Sequence, residues 1–245
     1  ALSTFMRSAD GLVAAVYAPS TVNTCINGAQ VTVTLKTGYP FRDTLNFFVK
    51  VDRPVEFALD LRVPGWAKDA QLNIDESRIT VESGGFYRIN RRWQGETSFT
   101  LHLPMKPCVV SRPNQLYAIT RGPLVYSLLI GERWVRINED VPGREFPHCD
   151  YEVYPTTPWN YGLCIDKDNP DKDIVFEEVP LGDWPFSPEG APVVAHLKGR
   201  RVDWQMQGGS AAPVPQRRWL ADEVEDIQLI PYGCTNLRVT EMPLA

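Results

Sequence analysis

No stretch of this 245-residue sequence approaches the roughly 20 apolar residues that a membrane-spanning helix needs, so no membrane partner is expected. An excess of positive charge is missing too. The formal charge is −5, which gives no electrostatic reason to expect nucleic acid or an anionic membrane surface as a partner. Histidine is scarce. The three at 102, 148 and 196 are scattered, and no Ser-His-Asp or Cys-His arrangement can be assembled from their spacing. The five cysteines, at 25, 108, 149, 164 and 234, include neither an adjacent pair nor a CxxC pair. An odd, widely spaced set argues against a zinc knuckle or a disulfide scaffold and for buried free thiols. An initiator methionine and a signal peptide are also missing before Ala1, so a processed product or a piece of a longer chain is expected. The compartment stays unknown.

Proline is what the sequence has in excess: 21 residues where about 12 would be ordinary. That density suits strand ends and loops and works against long helices. The stretch Val55 to Trp66, VEFALDLRVPGW, sets the pattern. Val55, Phe57, Leu59, Leu61 and Val63 share one parity, and Glu56, Asp60 and Arg62 the other. Strand side chains alternate between faces, so this predicts a strand with one buried and one wet face, ended by Pro64-Gly65.

The same alternation recurs along the chain. Val31, Val33 and Leu35 form one set, Leu45, Phe47, Val49 and Val51 a second, and Phe99, Leu101 and Leu103 a third. A hairpin is expected over 73–81 and a strand after Gly84-Gly85. Beyond PMKP at 104–107, strands are expected over 115–120, 124–130, 134–137, 193–197, 226–230 and 237–240. Segments 140–147 and 167–172 read as loops, and GGSAAPVP at 208–215 as a flexible excursion. The fold class is therefore all-β, with two antiparallel β-sandwich (jelly-roll-like) domains in series. Residues 1–23 read as a lead-in segment, 24–107 as the first sandwich and 108–245 as the second.

Several clusters invite a chemical reading. DKDNPDKD at 166–173 offers four carboxylates, but Pro170-Asp171 stands where a helix-loop-helix calcium loop needs a flexible residue and a glycine. A solvated turn is the better reading. His148, Cys149 and Asp150 could join Cys164 around a metal only if a hairpin brought 149 beside 164. Glu145, Glu152 and Glu189 lie near aromatics, though paired acid and base roles cannot be read from their spacing. RINRRW at 88–93 reads as a solvated strand edge. Trp159 and Tyr161 flank Asn160, and Trp184 lies in loop-like sequence. Aromatic faces beside an amide can stack on sugars and hydrogen-bond to them, which makes Trp159, Asn160, Tyr161 and Trp184 the candidate carbohydrate-binding residues. Aromatics plugging the ends of a sandwich remain the alternative.

Eight segments in order resemble one family. They are YPFRD at 39–43, LDLRVPGWA at 59–67, GGFYRINRRWQGE at 84–96, LPM at 103–105, AITRGPLVYSL at 118–128, EVYPTTPWNYGL at 152–163, EGAPVVAHLKGRRVDW at 189–204 and IQLIPYGCTNLRVTEMP at 227–243. The chain from about residue 10 resembles the C-terminal portion of glycoside hydrolase family 127, which includes β-L-arabinofuranosidases. The resemblance implies an N-terminal (α/α)6 barrel, missing here, to which residues 1–23 would lead. It also implies a retaining mechanism with a zinc-bound cysteine nucleophile, a glutamate acid/base and an adjacent Cys-Cys pair. The lone Cys25 in NTCINGAQ does not match that pair, so no catalytic, cofactor or metal role carries over to a position of this chain. Zinc is expected in the missing barrel. The implied role is a non-catalytic structural and assembly region, with the barrel, a second copy in a homodimer and the parent's carbohydrate substrate as partners. A stand-alone carbohydrate-binding sandwich is the alternative.

Overall fold

The protein, seen in a computed structural model, is described over residues 4–215 and 219–245; the first three residues of the expected lead-in lie outside that range. Two compact units divide it, one ending at Lys106 and the other beginning at Pro107. Helix is confined, among the described residues, to short 3-10 turns such as Pro113–Gln115 and Pro170–Lys172.

The first unit contains β1 (Phe5–Arg7), β2 (Gly11–Ala14), β3 (Ser20–Ile26), β4 (Ala29–Thr37), β5 (Thr44–Val51), β6 (Val55–Val63), β7 (Ala70–Ile74), β8 (Ser77–Val81), β9 (Gly85–Trp93) and β10 (Glu96–His102). They make a four-stranded sheet, β1-β2-β6-β9, and a six-stranded sheet, β3-β4-β5-β10-β7-β8. The inward parity of β6 packs with that of β4, β5 and β10 in one core. Aromatic contacts join the layers: Phe57 stacks on Trp93 at 5.3 Å, Trp93 meets Phe99 at 6.3 Å, and Phe99 stacks on Phe47 at 4.9 Å. The Trp93 indole N–H donates to the Phe57 carbonyl at 3.0 Å, so its polar edge is satisfied inside that core.

Asp60 departs from its expected place on a wet face. It is 8% exposed, because β6 is an inner strand and Arg88 faces Asp60 across the β6–β9 pair. The guanidinium donates to both carboxylate oxygens, at 2.8 and 2.9 Å, and also reaches Asp10 at 2.9 Å. The basic stretch 88–93 therefore lies on an edge strand, with Arg88 and Arg91 held by Asp60, Asp10 and Asp75. Part of the expected lead-in is sandwich as well. β2 pairs in parallel with β6 and buries Gly11, Leu12 and Ala14. The 73–81 hairpin forms, turning through Asp75 and Glu76 at φ 49° and 62°, the left-handed pair a two-residue turn requires.

The second unit contains β11 (Pro107–Arg112), β12 (Leu116–Arg121), β13 (Leu124–Leu128), β14 (Glu132–Ile137), β15 (Asp150–Pro155), β16 (Tyr161–Leu163), β17 (Val175–Glu178), β18 (Val193–Arg201), β19 (Met206–Gln207), β20 (Ser210–Ala211), β21 (Glu225–Pro231) and β22 (Glu241–Met242). Eight of them join in one branched sheet with the path β11-β12-β13-β21-β18-β16. Two strands change partner along their length: β12 passes from β22 to β13, and β18 from β17 to β16. Such switches make the corners at which a sheet folds over a core. Here the buried residues include Ile119, Tyr126, Leu128, Leu163, Val193, Ala195 and Leu229. The hairpins β14–β15 and β19–β20 stand apart from this sheet.

Two expectations change in this unit. Residues 237–240 are irregular rather than a strand, because their backbone is held singly, as where the Val239 carbonyl accepts from the Leu128 N–H at 2.9 Å. The 208–215 excursion is partly ordered. Gly208 and Gly209, at φ 59° and 78°, turn the β19–β20 hairpin, and Ala212 N–H donates to the Gln205 carbonyl at 2.9 Å.

Gly11 stands where β2 approaches the β6 backbone closely. A Cβ there would lie 1.8 Å from the Ala58 carbonyl oxygen, a backbone atom with nowhere to go. Gly11→Ala should therefore separate β2 from β6 and cost about 3 kcal/mol or more. Thermal unfolding checks this, and an unchanged Tm would show that β2 is dispensable.

Candidate functional site

The four residues proposed for sugar contact occupy three different surroundings. Trp159 is half-buried and meets Trp204 edge to face at 5.4 Å. It lines a cleft of about 440 Å³ together with Ile130, Tyr154, Met206 and Arg238. Asn160 turns inward instead, its amide donating to the Val202 carbonyl at 2.6 Å and accepting from Arg201 at 3.1 Å. Tyr161 is 5% exposed and donates to Glu225 at 2.7 Å, while Arg201 bonds the other Glu225 oxygen at 2.9 Å and lies over the Tyr161 ring. Burial, and then the hydrogen bond to Glu225, raise the Tyr161 phenol above its ordinary range. Asn160 and Tyr161 thus spend their polar groups on this internal network. Trp184 is 81% exposed and lines a separate recess with Val179, Asp183 and Glu189.

Glu132 holds the Asn236–Leu237 segment, and nothing in the alternation of the sequence marks it. One carboxylate oxygen accepts from the N–H groups of Asn236 and Leu237, both at 3.2 Å. The other accepts from the Asn236 amide and the Trp134 indole N–H, both at 3.0 Å. Partial burial works to raise this carboxyl, but the four hydrogen bonds together outweigh it and hold the group below the usual carboxylate range. The clamp fixes the segment that carries Arg238 and Val239 into the cleft. A second, larger cleft of about 870 Å³ shares Ile130 with the first, is lined by Glu132 and extends past Trp134, Glu189 and His196. His196 is paired with Glu177 at 2.9 Å.

Of the flagged glutamates, Glu152 and Glu189 reach these clefts, whereas Glu145 closes a turn by accepting from the Gly143 N–H at 3.0 Å. Arg238, Met206 and Tyr154 belong to the cleft without having been marked by the sequence. Their positions depend on a hairpin and a clamped loop that meet only in three dimensions.

The metal-binding possibilities do not converge. Cys149 directly precedes β15, which pairs with β14, while Cys164 directly follows β16, which pairs with β18. Asp150 is engaged by Arg144 and Asn138, each at 3.0 Å. In the acidic run, Asp166 accepts from the Asp168 N–H and the Asn169 amide, and Asp173 from the Asp166 N–H, so the carboxylates close their own turn. Among the described residues no three His, Cys, Asp or Glu side chains gather in a way that could hold a metal ion. The residues described here therefore do not fit the zinc site that the family resemblance implies. All five cysteines are free, and burial pushes the Cys234 thiol up to about 11, away from thiolate chemistry. No helix among the described residues is long and apolar enough to cross a membrane.

Residues 11–105, nearly the whole first unit, match the profile of the middle domain of family 127 β-L-arabinofuranosidases. The matched domain is thus a middle one, where the sequence had suggested a C-terminal portion. A family 127 β-L-arabinofuranosidase from Geobacillus stearothermophilus T6 superposes with a TM-score of 0.63 at 23% identity, over 98% of this chain and 35% of its own. A second structure, a glycoside hydrolase, gives 0.65 at 18% identity over 99% and 37%. A family 127 β-arabinofuranosidase gives 0.54 at 14% identity over 96% and 35%. The chain spans about a third of the length of these structures, and at such identities the likeness establishes the fold. No curated protein matches the sequence.

The depressed acidity of Glu132 has a definite sign. Its contribution to stability is complete above the ordinary glutamate range near 4.5 and is lost as pH falls through the lower folded value. The protection factors of the Asn236 and Leu237 amides, taken against intrinsic exchange at each pH, should fall over that acidic window. Glu132→Ala should remove the pH dependence and cost about 1–2 kcal/mol. Unchanged protection of these two amides in the variant would show that the clamp does not hold the loop.

Proposed function

We propose that this chain is the supporting, non-catalytic sandwich region of a glycoside hydrolase related to the β-L-arabinofuranosidases of family 127. In this reading the first unit is a middle domain, the second unit follows it, and a catalytic barrel elsewhere in the parent carries the zinc, the thiolate nucleophile and the acid/base. The observation that carries the reading is the match of residues 11–105 to the family's middle domain. The superposition of nearly all of this chain on about a third of larger glycoside hydrolases supports it as well.

The chemistry of the described residues agrees with a supporting role. A thiolate nucleophile needs a metal or a cationic neighbour to lower its pKa. The one buried cysteine is shifted in the opposite direction, by desolvation. The surface suits attachment to something larger: Phe146, Trp184 and Phe186 are 84%, 81% and 62% exposed. Aromatic rings at that exposure provide area that a barrel or a second copy can bury.

The test is turnover of an aryl β-L-arabinofuranoside by the purified chain, with and without added zinc. The expected result is no rate above the uncatalysed background in either condition, with activity present when the whole parent enzyme is assayed. Zinc-dependent turnover by the chain alone, abolished by replacing one of its own cysteines, would place the chemistry here and overturn the proposal.

A further inference from the structure

The cleft beside Trp159 has features that a supporting role does not require. Its main ring is built rigidly. Trp159 rests on the edge of Trp204, and the Trp204 indole N–H is tied to the Ala212 carbonyl at 2.6 Å. That bond anchors the β19–β20 hairpin, whose Met206 and Ser210 also face the cleft. Ile130, 5% exposed, supplies apolar lining. A ring held this way presents its open face without losing side-chain entropy on binding, which favours affinity for a stacked ligand.

The polar lining is balanced. Glu152 supplies acceptors, and its carboxylate is oriented by the Tyr154 hydroxyl at 2.5 Å. Arg238 supplies a planar fork of donors and lies over the Tyr232 ring at 4.5 Å. Among the described lining residues one negative and one positive group balance, so these favour neither an anion nor a cation. Ser210 adds a hydroxyl. An aromatic face, an acceptor, a donor fork and no net charge match a neutral, polyhydroxylated ligand with an apolar ring face. The volume of about 440 Å³ falls within the roughly 300–1,000 Å³ typical of small-ligand sites.

We infer that the Trp159–Arg238 cleft of the second unit binds a neutral oligosaccharide, with a sugar ring stacked on Trp159 and its hydroxyls bonded to Arg238 and Glu152. This goes beyond the supporting role and does not depend on it, since the binding needs no catalytic partner.

The experiment is saturation-transfer NMR with the purified chain and three neutral probes, arabino-, xylo- and cello-oligosaccharides, alongside an oligogalacturonate as the anionic probe. The expected result is saturable transfer from at least one neutral probe and little from the anionic one. Arg238→Ala and Trp159→Phe should each weaken that binding about tenfold. Trp184→Ala, in the separate recess, should leave it unchanged. Thermal unfolding of each variant separates lost binding from lost fold, and Arg238, being exposed, keeps the test valid if Trp159→Phe is unstable. Transfer from no neutral probe at millimolar concentration, stronger binding of the oligogalacturonate, or binding indifferent to Arg238→Ala in a folded variant would each overturn the inference. Because turnover plays no part, its failure is separate from failure of the hydrolase reading.

Discussion

Burial of one face of Val55–Val63 is the constraint on which the first unit depends. Its five apolar residues of one parity, Val55 to Val63, are each at most 6% exposed. Both edges of the strand are hydrogen-bonded, in parallel to β2 and antiparallel to β9. A one-residue slip would turn that whole set outward, so register and core specify each other. The neighbouring choices follow: glycine at 11 where β2 must approach closely, Arg88 opposite Asp60 where the outer face is covered, and Trp93 where β9 must reach the opposing sheet. The Asp60 carboxylate shows how an outward-facing residue on an inner strand becomes buried and survives by pairing with a guanidinium in a two-point fork.

The second unit is organised by changes of strand partner and by single hydrogen bonds to loops. Glu132 holds the Asn236–Leu237 backbone, Ser127 meets Thr240 at 2.7 Å, and Trp204 holds the Ala212 carbonyl. Side chains therefore hold the loops of this unit that its ladders do not reach. A consequence is functional: clefts form where hairpins stand away from the main sheet, and their walls are set by clamps of this kind.

That difference explains what was legible in the sequence. Alternation at period two exposes a half-buried strand directly, so Val31–Leu35, Leu45–Val51, Val55–Val63 and Phe99–Leu103 could be read as strands, and the all-β class with them. Alternation says nothing about which strand is central, so the burial of Asp60 was not visible. It also misread residues 237–240, whose apolar residues are held in an irregular path by Glu132 and Leu128. Trp159 was legible as an aromatic of interest because of its company. The inward turn of Asn160 was not, since it depends on Val202 and Arg201, about forty residues further on. Arg238 carries no local signal at all, because its place in the cleft comes from a clamp more than a hundred residues away in sequence.

The central claim is that these two units serve a larger glycoside hydrolase whose chemistry lies outside them. The most direct measurement is the coding sequence upstream of residue 1. The account predicts a continuous reading frame long enough for a helical barrel, carrying an adjacent Cys-Cys pair and an upstream glutamate suited to acid/base work. A start codon or a leader directly before residue 1 would contradict it and leave the two units to act by themselves.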